Sequence, residues 1–214
     1  MYSSQLRRIL GQIEPTTRVH FRGVFAIDEL AQTPCMYGSY VINLDRRDEP
    51  GSHWVVVYID PTKADTSTKI RLPPTPLLSS SLHSGQSYSA IVEYFDSYGL
   101  APLAPELITF INRCIARYHH HKLRCRNGRK DAAAASAAAL APRVVDACIG
   151  PNFWYNSYGL QPTFTGSCGF YCIYFILKRV MGQTAADIVK LLSRIDSHYY
   201  VKKYVLDRYS LAFH

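Results

Sequence analysis

The octapeptide HWVVVYID, residues 53–60, constrains the fold more than any other stretch of the chain. Its β-branched and aromatic residues favour a strand, because branched side chains lose rotamer freedom in a helix and pack well on a pleated surface. The apolar run is nearly continuous rather than alternating. A strand with one wet face shows a polar residue at every second position, so this one reads as a central strand buried on both faces. YGSYVINLD, residues 37–45, reads as a second strand, with a turn over Arg46 to Gly51 between the two. SAIVEYFDSYG reads as a third strand that ends at Asp96 and turns at Gly99, and FWYNSYG as a further short strand.

Helical periodicity appears elsewhere. Ser3 or Ser4 caps a short helix with Leu6, Ile9 and Leu10 on its apolar face. FRGVFAIDEL reads as a turn followed by a short helix from Ala26 to Leu30. Pro105 to Tyr118 is amphipathic, with Leu107, Ile108, Ile111 and Ile115 on one side. Cys168 to Met181, Ala185 to Ile195 and Ser197 to Tyr209 read as three more helices.

Two stretches break this pattern. Residues 61–89 are rich in Ser, Thr and Pro and read as a loop excursion. Residues 119–147 begin with HHHKLRCRNGRK, a basic cluster read as a solvated loop. An alanine-rich run follows, helical by propensity but offering nothing large to pack.

The chain of 214 residues is long enough for one domain with a real core, and 48% apolar content marks it as globular. The longest apolar run, Gly169 to Leu177, is too short to span a bilayer, and MYSSQLRRIL lacks the apolar stretch of a signal peptide. The expectation is a soluble, intracellular protein without membrane contact, its six cysteines reduced. A net charge of +8 favours polyanions such as DNA, without excluding an ordinary basic domain.

TGSCGFYCIYFIL, residues 165–177, carries the chemistry. A thiol attacks as thiolate, and its ordinary pKa near 8.5 leaves little of that form at neutral pH. Cys168 opens the strongest helical segment, where the partial positive charge of a helix N-terminus favours an anion. Gly166 and Gly169 beside it let a backbone approach closely. The same pattern also fits a buried cysteine in a core helix. Of eight histidines, His53 stands alone at the start of the central strand, rigidly held at the sheet rim. A histidine base needs an acceptor on its other nitrogen. If the strands that begin at His53 and end at Asp96 are antiparallel neighbours, the two residues lie side by side. The backbone N–H of Cys168 and the side-chain amide of Gln161 are the candidate oxyanion donors. Cys114, Cys125 and His119 to His121 lack convincing zinc-ligand spacing, so no metal is expected.

The ordered set VHFRGVFAIDEL, EPGSHWVVVYI, YFDSYG, Gln161 and CGFYCIYFILKR resembles the adenovirus-type (adenain-like) cysteine endopeptidases, most closely in motif those of Maverick/Polinton transposons and adenovirus-like elements. The likeness covers roughly residues 19–60, 91–112 and 153–207. It implies an α+β, adenain/ULP-like cysteine protease fold, a mainly antiparallel sheet packed against helices with the site in the groove between. Residues 1–214 would form a single domain, with 61–89 and 119–147 as insertions. The resemblance makes His53 the general base, Asp96 its orienting acid, Cys168 the nucleophile and Gln161 the oxyanion-hole residue. Trp54 and Gly169 would contact substrate. The acid is Asp here, as in the deSUMOylases, rather than the Glu of the best-known adenovirus enzymes.

The implied activity is cleavage of capsid or core precursors by a monomer, in the host nucleus or a virus-like particle. No cofactor is required, but DNA and a viral peptide are implied as activators. Cys148 occupies a place similar to that of the peptide-linked cysteine, although an ordinary buried cysteine is the favoured reading there. Lys122, Arg124, Arg126, Arg129 and Lys130 are the candidate DNA contacts. Two rivals stay open: an isopeptidase of ubiquitin-like conjugates, and a non-enzymatic DNA-binding module.

Overall fold

The structure, a computed structural model, describes residues 2–12, 21–60, 92–127 and 153–209, with the backbone alone for 119–127. The 61–89 excursion, the alanine-rich run, Cys148, Arg129 and Lys130 lie outside the described residues.

The octapeptide forms β3 (Trp54–Ile59), third in a five-stranded sheet of order β1-β2-β3-β4-β5, and every residue of it is buried. Antiparallel β2 (Gly38–Asn43) flanks it, with Gly38 opposite Ile59 and Asn43 opposite Trp54. On the other side lies antiparallel β4 (Val92–Phe95), with Val56 opposite Phe95 and Ile59 opposite Val92. The outer strands, β1 (Phe21–Ala26) and β5 (Phe153–Tyr155), run parallel to β2 and β4. The sheet is therefore mixed rather than mainly antiparallel: only the inner pairs are antiparallel. The outer pairs are joined by longer connections that return the chain to the same sheet end, as parallel pairing requires.

β1 stands where a turn was expected. It is an edge strand in which only Val24 is fully buried, and its register slips between Phe21 and Gly23. Neither feature leaves an apolar run in the sequence. The short helix expected after it is a 3₁₀ turn, Ile27–Glu29.

Side chains alternate across β3. Trp54, Val56 and Tyr58 join one apolar cluster, which includes Val24, Val41 and Phe95 and is completed by α1 (Ser3–Leu10), α3 (Cys168–Val180), α4 (Ala185–Leu192) and α5 (Ser197–Tyr209). Val55, Val57 and Ile59 join the other, with Tyr40, Ile42, Val92 and Tyr94 under the 3₁₀ turn and α2 (Pro105–Asn127). Helices on both sheet faces explain why β3 has no polar face. Each valine so buried contributes on the order of 1.5–3 kcal/mol.

α3 is apolar nearly all round and lies under α5 against β3, with Phe175 stacked on Phe95 at 4.3 Å between centroids. Its far end is tied down by a buried ion pair, Arg179 Nε to Glu93 Oε2 at 2.7 Å. The guanidinium also lies 4.4 Å over the Tyr58 ring and donates to the Gln183 carbonyl. Charge-assisted forks of this kind fix geometry as well as supply energy. α3 is thus pinned to β3 and β4, the strands that carry the two polar residues of the site.

α2 runs nine residues past its expected end at Tyr118, through HHHKLRCRN. Histidine, lysine, leucine and arginine are all tolerated in a helix, and no Gly or Pro intervenes before Gly128. Through Asn127 the basic cluster is therefore helix and not loop. Among the described residues no helix is long and apolar enough to cross a membrane.

Candidate active site

His53 immediately precedes β3 and Asp96 immediately follows β4. Because the two strands are antiparallel, that start and that end share one sheet edge. His53 Nε2 lies 2.9 Å from Asp96 Oδ1. The same oxygen accepts the Tyr98 backbone N–H at 2.7 Å, and Oδ2 faces the Tyr94 hydroxyl at 3.4 Å. Asn156 clamps the Asp96 backbone from both sides: its Oδ1 accepts the Asp96 N–H at 2.9 Å, and its Nδ2 donates to the Asp96 carbonyl at 2.6 Å. Extending the β3–β4 register places His53 opposite Tyr98, and their rings stack at 4.8 Å. The imidazole is thus oriented by a carboxylate at one edge and an aromatic ring on one face.

Nε2 is thereby committed to Asp96. Cys168, the first residue of α3, lies beside the His53 ring, near enough for each to shift the acidity of the other. Burial alone would lower the His53 pKa, but the bonds to Asp96 and Cys168 outweigh it and hold the pKa up at about 9. For Cys168, burial raises the thiol, but His53 and the backbone N–H groups of Trp54 and Gly169 outweigh it and leave the pKa below its ordinary value. The opposed shifts favour a thiolate–imidazolium pair, stabilised further by the helix N-terminus.

Trp54 presents its backbone N–H to this site; its indole is only 9% exposed and packs into the α3-side core. Gly169 likewise presents its backbone N–H. On the outer side, a Cβ built at Gly166 would meet nothing within 4 Å, so the approach to the start of α3 is open there.

Gln161 is tied to the Asp96 turn. Its Oε1 accepts from Ser97 Oγ at 2.7 Å, its Nε2 donates to the Tyr98 hydroxyl at 3.1 Å, and its backbone N–H donates to the Ser97 carbonyl at 2.9 Å. The amide carries a second N–H beyond the one given to Tyr98. Behind it, the Leu160 carbonyl accepts from Tyr171 at 2.9 Å and Ser197 at 2.6 Å, fastening the loop to α3 and α5. Gly99 closes the turn with φ 73°; a Cβ there would lie 2.5 Å from the Tyr158 carbonyl carbon. The Asp96 turn and the Gln161 loop therefore touch backbone to backbone, which only glycine permits.

Ser97, Tyr98 and Asn156 are part of the arrangement and were not singled out in the sequence. DSYG carried two of them, but a turn motif alone does not announce ring stacking. Asn156 acts across sixty positions of chain, which leaves no local signature. Lys122, Arg124 and Arg126 lie on the last turns of α2, a helix that packs on the sheet face opposite α3. Among the described residues no group of His, Cys, Asp and Glu could hold a metal ion. Neither a protein-family model nor a curated protein sequence matches the chain.

Proposed function

We propose that this chain is a cysteine endopeptidase with an adenain-like fold, acting as one domain over residues 1–214. The observation that carries the reading is the series Cys168–His53–Asp96: a thiol at a helix start, beside a histidine that is held by a carboxylate at 2.9 Å. In this reading the Cys168 thiolate attacks a peptide carbonyl carbon. Negative charge moves to the carbonyl oxygen, which the Cys168 N–H and the Gln161 amide stabilise. The His53 imidazolium gives its proton to the leaving amine as the C–N bond breaks, leaving a thioester. Water, deprotonated by His53, then attacks the thioester, releasing the acid and regenerating the thiol. Asp96 holds the ring in the tautomer and orientation that both steps need.

The adenain-like resemblance makes capsid or core precursors of a virus or virus-like element the substrate class, cleaved in the nucleus or the particle. The test is incubation of the purified chain with structural proteins from the same genome, and mass spectrometry of the cut sites. Cuts made by the wild type and absent with Cys168→Ala support the reading. No cuts, with cleavage instead of ubiquitin-like conjugates, would turn the assignment to an isopeptidase. DNA as an activator is supported by the +8 charge and by Lys122, Arg124 and Arg126 at the end of α2. With about four phosphate contacts, affinity for duplex DNA should fall roughly a hundredfold between 50 and 200 mM salt, as measured by fluorescence anisotropy. Alanine at those three positions should flatten the slope and leave DNA-free cleavage unchanged. Equal slopes would remove α2 from DNA binding.

A further inference from the structure

The face of the sheet opposite α3 holds a second pair of thiols that the proposed mechanism does not use. Cys35, in the segment between the 3₁₀ turn and β2, and Cys114 on α2 belong to one buried cluster, and each shifts the acidity of the other. Both are free and buried. The segment carrying Cys35 is fixed from two directions. Arg113 donates to the carbonyls of Leu30 at 2.7 Å, Ala31 at 2.6 Å and Thr33 at 2.6 Å, and its Nε donates to Cys35 Sγ at 3.3 Å. The Tyr40 hydroxyl lies 2.9 Å from both the Pro34 and Met36 carbonyls and accepts the Met36 N–H at 2.8 Å. Cys35 is therefore bracketed on both chain sides and held against a guanidinium. It lines an open cavity of about 490 Å³ together with Arg113 and Arg117.

We propose that Cys35 and Cys114 form a second thiol site, a dithiol that exchanges with small anionic peptide disulfides of the glutathione class and closes to an intramolecular disulfide. The two thiols have unequal parts. Cys35 faces the cavity and the guanidinium; its hydrogen bonds from Cys114 and Arg113 outweigh burial and lower its pKa, so it is the attacking thiolate. Cys114 is wholly buried, which raises its pKa and keeps the shared proton on it until the second step. In the first step Cys35 sulfur bonds to one sulfur of the small disulfide, the S–S bond breaks, and one small thiolate leaves. In the second, Cys114 gives up its proton and its sulfur attacks Cys35, expelling the other small thiolate. Two protein thiols are oxidised by two electrons, the small disulfide is reduced to two thiols, and the protons of the protein thiols end on the leaving groups. Two arginines at the cavity suit the carboxylates of such a peptide, whose size the cavity accommodates.

The probe is oxidised glutathione, added to the reduced full-length chain, with acid quench, alkylation and peptide mapping. Wild type should yield a linked Cys35–Cys114 peptide pair while Cys172 stays alkylatable. Cys114→Ser should arrest with one glutathionyl group on Cys35, and Cys35→Ser should leave Cys114 unreacted. Should either serine variant fail to fold, the wild-type map decides alone. Cys35 reacting no faster than Cys172, or pairing with another cysteine, would overturn the site. The uncharged hydroxyethyl disulfide should react at Cys35 about threefold more slowly, or worse, than oxidised glutathione. A rate equal or higher would overturn the anionic class.

Discussion

Cys168 and Cys172 stand one helical turn apart on α3, both shielded from solvent, and their acidities move in opposite directions. At Cys168 burial is outweighed by His53 and two backbone N–H groups, and its pKa falls. Cys172 lies among the apolar residues of the core; burial, with the charges of Cys168 and Asp96, raises it well above the ordinary value. The difference teaches that a buried thiol becomes more acidic through its donors and not through its helix or residue type. The first turn of α3 meets the sheet edge, where the strands end and deliver a histidine and the Trp54 backbone N–H. The second turn is buried in the apolar cluster that includes Phe95 and Tyr171.

The comparison breaks most sharply at the first turn. Cys168→Ala should reduce peptide cleavage by on the order of 10⁴-fold or more while circular dichroism and melting stay near wild type. Substantial residual cleavage by the purified variant would end the nucleophile assignment. His53→Ala should cost nearly as much. Asp96→Asn should cost less, on the order of 10²-fold, since the amide oxygen still accepts the ring N–H but supplies no charge to the imidazolium. A fully active His53→Ala enzyme would show that the base lies elsewhere.

Next in size is Gln161→Ala, expected to lower kcat tenfold to a thousandfold, the scale for one oxyanion donor. It tests whether the first turn owes its power to the loop in front of it as well as to the strands behind. Unchanged kcat would place Gln161 outside the site and leave it as the anchor of Tyr98.

A smaller effect separates the two thiols by pH. A lowered pKa puts thiolate at lower pH, so iodoacetamide should label Cys168 with a midpoint below that of an ordinary thiol, and His53→Ala should move that midpoint up. Proteolysis should rise as the thiol of the pair ionises and fall as pH passes about 9, where the imidazolium loses its proton. Cys172 should resist labelling throughout that range. Equal midpoints for the two cysteines would erase the distinction drawn here.

The smallest effect belongs to Cys172→Ala. It removes one buried sulfur from a core cluster, at about 1 kcal/mol in denaturant unfolding, with cleavage within about threefold of wild type. A loss of cleavage matching Cys168→Ala would mean that the second turn takes part in the chemistry.

What could be read from the residues alone follows the same division. β3 was legible because a strand covered by helices on both faces is apolar at every position. His53, Asp96 and Cys168 were legible because each stands at the end of a readable element, and antiparallel pairing turns that position into proximity. β1 escaped because an edge strand with a register slip at Gly23 carries no buried run. The outer parallel pairings escaped because their partners are far apart in the chain. The full length of α2 was hidden by its charged residues, which resemble a loop until the lack of a breaker before Gly128 is weighed. Tyr98 and Asn156 had no period or motif; their roles exist only after the Asp96 turn and the Gln161 loop are in contact.

The antiparallel pairing of β3 with β4 has a practical corollary. His53 and Asp96 share one edge of the sheet, so Ile59 and Val92, paired with each other, mark the opposite edge. At about 3.3 Å per residue, Ile59 lies roughly 20 Å along β3 from His53 and Val92 roughly 13 Å along β4 from Asp96, so the chain leaves β3 and rejoins at β4 well away from that pair. A reporter domain spliced between Asp60 and Val92 would hang from the far rim. Two separately expressed pieces, broken at the same place, would each carry one half of the His53–Asp96 pair. Reassembly of those pieces could then be read as restored thiol acidity at Cys168, which makes this rim the natural place to divide the molecule into a complementation sensor.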